Sequence, residues 1–273
     1  MRPDRETIAA PDLPKQIAWI GEAPQSMPVL TAAGPVLVHF FDFAQLNSVR
    51  TLPYLVEWAH RYRDAGLRVI GVQAPRFPFG GEPAAVAAGL QRLGIDFPVA
   101  IDAERDLWHA YGCEGRHSLF LWKTGRALGW FHFGEGEYLG TEMAIAAELR
   151  EQDALRDLPP PLDPLRPSDG PSTRVMPPTP ELFPGGSWEQ PWIAGEDGEE
   201  LETAYEAGGA YATVEGEGLI EVVLDGAPAG SVEVGGAGLY ALAEHAVHEQ
   251  HVISLHPSPR LRIWSLSFAA GVP

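Results

Sequence analysis

Few residues in this chain can do covalent chemistry. Cys113 is the one thiol among 273 residues, which excludes an intramolecular disulfide, a two-thiol redox cycle and a four-thiolate zinc site within this chain. A lone thiol could serve as a one-cysteine peroxidatic or glutathionylated site if its thiolate were stabilised. The neighbouring Glu114 works the other way, and a free cysteine commonly serves as a small core residue. The second concentration of reactive side chains is histidine, at positions 245, 248, 251 and 256. The pattern puts a strand start near His251, so His245, His248 and His251 fall in a connecting loop and cannot share one helix face; with no cysteine to help, no metal site is expected, and no cofactor is expected either. Gly134-Glu135-Gly136 follows a strand but lacks the lysine of a phosphate loop, so no nucleotide site is expected. Trp188, Trp192, Tyr205 and Trp264 could stack on sugars or fill a core. Trp264, on an alternating apolar face, is read as core.

Charge narrows the partners. A net charge of −18 and a pI near 4.8 repel phosphate backbones, so nucleic acid is not an expected partner. No apolar run reaches the length of a membrane span, and Met1 to Thr7 is polar without an apolar leader behind it. Taken as given, the chain is expected to be cytoplasmic.

Whatever chemistry exists must be positioned by two bodies. Ten prolines fall within 157–184, a density that fixes φ repeatedly and reads as an extended, semi-rigid tether. It separates a body at 1–156 from one at 185–273. From Gly185 onward there are 14 acidic and 2 basic residues, so the second body is the more acidic. In the first, strands at 36–41, 67–73, 97–102, 118–123 and 127–133 alternate with helices at 48–65, 82–93, 104–111 and from Thr141, a plausible N-cap, to 153. That order predicts an α/β fold with a mixed central sheet covered on both sides. Past Gly185 only short strands appear, at 210–215, 219–225, 231–234, 239–243, 251–255 and 260–268. Their turn-punctuated spacing predicts an all-β sandwich or jelly roll.

Specific residues then meet a known family. Val36 to Phe41, followed by Asp42 to Ser48 and Val49-Arg50-Thr51-Leu52-Pro53, resemble the active-site strand and helix of thioredoxin-like proteins, with Pro53 where these carry a helix-kinking proline. Tyr111 to Gly125 resembles their cis-proline segment. With Gly71 to Phe79 and Phe133 to Tyr138, the likeness is to the TlpA/DipZ-type redoxins, the cytochrome-c-biogenesis class of thiol-disulfide reductases. Thr179-Pro180-Glu181, Val223 to Pro228 and Leu239 to Leu242 resemble the carbohydrate-binding-module-like sandwich that follows in those proteins. The resemblance implies an extracytoplasmic setting, against the reading from the N-terminus.

The departures decide the expected function. Where the family carries Cys-x-x-Cys this chain has Gln45-Leu46-Asn47-Ser48. A carboxamide and an unactivated hydroxyl can neither attack a disulfide nor resolve a mixed one. The family's buried acid aligns with His39 and its cis-proline with His117. The expectation is a redox-inactive binding or accessory module for a protein, peptide or glycan, in which Gln45, Asn47, Ser48, Arg116 and His117 form a remnant site at a helix N-terminus. The alternative is an oxidoreductase with a single-thiol site at Cys113.

Overall fold

The computed structural model describes residues 8–115, 117–195 and 199–273. Two compact units emerge. The first takes in the chain up to Phe43 together with Asn47–Asp163, the second Ala44–Leu46 and Pro164–Pro273.

The first unit runs β1 (Ala18–Ile20), α1 (Met27–Ala33), β2 (Val36–Phe41), α2 (Leu46–Tyr62), β3 (Arg68–Gln73), α3 (Pro83–Arg92), β4 (Val99–Ile101), α4 (Asp106–Ala110), β5 (Ser118–Trp122), β6 (Leu128–Phe133) and α5 (Tyr138–Gln152). Its sheet has the order β1-β4-β3-β2-β5-β6. β2, β3 and β4 are parallel, while β1, β5 and β6 pair antiparallel. β2 is central and buried at every position, as its uncharged run Val-Leu-Val-His-Phe-Phe requires of a strand covered on both faces. Side chains alternate across it. Val36, Val38 and Phe40 join one core cluster with Met27, Tyr111, Cys113 and Trp122. Leu37, His39 and Phe41 therefore point to the other face. Gly71, opposite His39 on β3, makes room there, since a Cβ would stand 2.8 Å from the Phe41 ring.

One helix start differs from expectation. α5 begins at Tyr138, with Glu137 at the N-cap position, whereas Thr141 is buried inside the helix and accepts a hydrogen bond from Trp130 Nε1 at 3.3 Å. The Tyr138 ring stacks on Tyr54 at 3.8 Å and 9°. That aromatic contact anchors the turn preceding Thr141, where cap chemistry alone gave no signal.

In the second unit, β7 (Trp192–Ile193), β8 (Leu201–Glu215), β9 (Glu217–Leu224), β10 (Ala227–Gly235), β11 (Gly238–Pro257) and β12 (Arg262–Ala269) form an all-antiparallel sheet ordered β10-β9-β11-β8-β12-β7. Asp225 and Gly226, both at positive φ (51° and 78°), make the two-residue turn of the β9–β10 hairpin. The strands expected at 239–243 and 251–255 are one strand, β11, and that expected at 210–215 is the end of the longer β8. Both are interrupted by irregularities rather than loops. β8 and β11 form a long ribbon, flanked by β12 at one end and by β9 at the other. Ile220, Val222 and Val234 from the one flank share a core cluster with Ile263, Leu266 and Phe268 from the other, so the two halves face each other as layers. The proline-rich stretch is not a free tether throughout. Met176 bridges Gly271 and Leu182 bridges Leu266, so its latter part lies along the sheet edge, where missing N–H donors cost least.

Candidate functional site

The site begins at the loop between β2 and α2. Ser48 is fully buried, and its hydroxyl accepts the Asp42 N–H at 3.1 Å. The Asp42 carboxylate accepts from Gln73 Nε2 at 3.3 Å and from the Arg76 N–H at 2.8 Å, while Gln73 Oε1 accepts the Phe43 N–H at 3.0 Å. These bonds satisfy buried backbone donors. They make Ser48 part of the loop's frame. Arg50 on α2 pairs with Glu135, Nε to Oε1 2.5 Å, which gives the Gly134-Glu135-Gly136 turn a structural role. Asn47 is exposed and Gln45 half-buried, its Oε1 without a hydrogen-bond partner among the described residues. Arg116 lies outside the described residues.

Behind this loop stand two histidines. His39 on β2 and His117 just before β5 are 0% and 3% exposed. Their Nε2 and Nδ1 atoms lie 2.7 Å apart, and the rings meet edge to face at 4.7 Å. His117 Nε2 is 3.3 Å from Thr51 Oγ1, which donates to the Asn47 carbonyl at 3.0 Å and lies 3.3 Å from Tyr138 OH. One proton assignment satisfies the whole chain: His39 Nε2–H donates to His117 Nδ1, His117 Nε2–H to Thr51, Tyr138 to Thr51, and Thr51 to Asn47. It leaves His39 Nδ1 as a buried lone pair without a partner among the described residues. Burial, reinforced by His117, holds the His39 pKa well below the usual imidazole range. Burial, then the nearby His132, brings His117 down to about 3. Both rings are therefore neutral at pH 7, forming a hydrogen-bonded brace across β2, β5, α2 and α5. Thr51 and Tyr138 were missed as members. The signal available was Thr51's place one turn beyond Ser48 on the same helix.

Cys113 is elsewhere. It is 5% exposed and packs in the cluster of Val36, Val38 and Phe40, on the face of β2 opposite His39. Burial is the main cause that pushes its thiol up to about 12, leaving on the order of one thiolate in 10⁵ at pH 7. The family-derived positions 39, 48 and 117 are thus gathered at one place, and the thiol is not among them.

The four aromatic residues singled out in the second unit differ in exposure. Trp264 is buried, with Nε1 donating to Glu215 at 3.1 Å, and Tyr205 is buried in the core cluster. Trp192 packs partly buried against that cluster, and Trp188 is exposed. His245, His248 and His251 were expected in a connecting loop, but all three stand within β11, because the ribbon continues through an irregularity that sequence pattern reads as a break.

No family model matches the chain. It is similar to the DipZ proteins of Mycobacterium tuberculosis and Mycobacterium bovis, at 26% identity over 299 aligned positions that cover 95% of this chain and 42% of each relative. It thus spans about two fifths of the length of those relatives. NHL repeat-containing protein 2 of Gallus gallus is 32% identical over 104 residues, 37% of this chain and 14% of that protein. Among solved structures, a thioredoxin-like superfamily protein superposes with TM-score 0.48 and 22% identity, covering 56% of this chain and 100% of its own. A thiol-disulfide isomerase from Corynebacterium glutamicum gives 0.46 and 20%, covering 51% and 96%. The first unit is mixed α/β and the second all-β. No helix among the described residues is long and apolar enough to cross a membrane.

Proposed function

We propose that this chain is a redox-inactive thioredoxin-fold protein that works as a binding or accessory module for a protein, peptide or glycan ligand. The observation that carries this reading is the chemistry at the head of α2. Ser48 and His117, standing where the family has a resolving thiol and a groove-shaping proline, are buried and spent on structural hydrogen bonds. Disulfide exchange needs a thiolate exposed to a substrate sulfur and a second thiol to resolve it, and neither is at hand. The burial of Cys113 and its raised pKa weigh equally against a single-thiol peroxidase. Asn47, exposed, and Gln45, half-buried, are the residues of the remnant site with side chains available to a ligand, and Arg116 is proposed beside them on sequence grounds alone.

The test is insulin reduction with dithiothreitol as electron source. The expected rate is that of dithiothreitol alone, unchanged by Cys113→Ser. A protein-dependent acceleration that Cys113→Ser removes overturns the reading.

A further inference from the structure

The second unit holds another paired set of histidines, and here the geometry points to a cation site. His245 and His251 are six residues apart on β11, which in a regular strand would separate them by about 20 Å. Their ring centroids are instead 4.1 Å apart, stacked at 24°. A bulge brings them together. Along the β8–β11 ribbon, Glu244 pairs with Gly209 and Glu249 with Ala207, so four residues, 245–248, stand opposite Gly208 alone. The bulge is held from outside the ribbon, because the His248 N–H donates to the Val272 carbonyl at 2.7 Å. Gly271 lies so close to Gly208 that a Cβ on Gly208 would be 2.7 Å from its Cα.

The groups around the rings are anionic or electron-rich. His251 Nδ1 faces Asp225 Oδ2 at 2.7 Å, the carboxylate–histidine arrangement that fixes an imidazole's tautomer and aims its other nitrogen at a metal. That other nitrogen, Nε2, is buried, has no hydrogen-bond partner among the described residues and lies 3.5 Å from Glu249 Oε1. With the proton on Nδ1, a lone pair thus looks toward a carboxylate oxygen, an arrangement that calls for a positive charge between them. Tyr205 OH is 2.8 Å from His245 Nε2. One ligand atom from each of His245, Glu249 and His251 lies within 4.8 Å of the others. Donors around a tetrahedral zinc stand about 3.3 Å apart, so side-chain rotation closes the set. The His251 ring borders a groove of about 420 Å³ lined in part by Tyr205, Asp225 and Gln250.

We propose that His245, Glu249 and His251 bind one divalent transition-metal ion of the zinc class, with Asp225 orienting His251 and a position left for a further ligand in the groove. Two imidazoles and a carboxylate are the nitrogen–oxygen donor set that suits such an ion. The 14 acidic residues of this region favour cation uptake.

The test uses the full chain stripped with EDTA and titrated with Zn²⁺ by calorimetry, and with Co²⁺ by visible absorbance. One ion per chain is expected, with cobalt d–d bands in the four- or five-coordinate range. His251→Ala and Glu249→Gln, the latter exposed and harmless to folding, should abolish or sharply weaken binding. Asp225→Asn should weaken it about 10–100-fold, and His256→Ala should leave it unchanged. The absence of binding overturns the proposal, as does binding that survives both His251→Ala and Glu249→Gln.

Discussion

The two units each press a pair of imidazoles together, and the pairs differ in what surrounds them. In the α/β unit, His39 and His117 meet edge to face, almost wholly excluded from solvent, with a threonine and a tyrosine completing their bonds. In the all-β unit, His245 and His251 stack in parallel beside Asp225 and Glu249, and both residues are partly exposed. A buried pair surrounded by apolar groups is forced neutral and becomes a structural brace. A pair edged by carboxylates keeps its lone pairs within reach of a cation. Residue type does not separate these roles; the surrounding dielectric and charge do.

Acid should break the first pair before anything else. In the unfolded chain the imidazoles take up protons below about 6.5, whereas the folded values are depressed, to about 3 for His117. Between those values the unfolded state binds more protons, so stability is complete above about pH 6.5 and falls as the pH drops through the window. The loss approaches about 1.4 kcal/mol per pH unit for each fully protected histidine. Urea unfolding at pH 7.5, 6 and 5 should show a steeper decline in the wild type than in His39→Leu/His117→Leu. Equal slopes would mean that the brace is not neutral in the native state.

Single substitutions sharpen the contrast. His117→Leu leaves His39 Nε2 and Thr51 without their partner in a dry site and should cost about 1–3 kcal/mol at pH 7.5, while the double variant recovers part of that loss. His251→Leu removes a hydrogen bond to the exposed Asp225 carboxylate and should cost less than His117→Leu in metal-free protein. Denaturant melts of the three variants decide it, and a larger loss at His251 than at His117 would reverse the assigned roles.

Much of the first unit was readable from pattern, because β2, β3 and β5 are apolar runs bounded by turns and α2 shows a clear apolar face. The resemblance placed His39 and His117, but their bond joins residues 78 apart, a distance no periodicity spans. Thr141 was misread as a cap because Tyr138 is fixed by stacking on Tyr54, a tertiary contact. In the second unit, the bulge at 245–248 breaks the two-residue alternation. One long strand therefore looked like two strands and a loop, and the histidines it brings together looked unrelated.

The claim that this scaffold performs no sulfur exchange meets its most direct test in the state of Cys113. The native chain is incubated with glutathione disulfide at pH 8 and weighed intact by mass spectrometry, beside a sample unfolded in guanidinium. The account predicts an unchanged native mass and a single glutathione adduct on the unfolded chain. An adduct forming on the native chain as readily as on the unfolded one would contradict it.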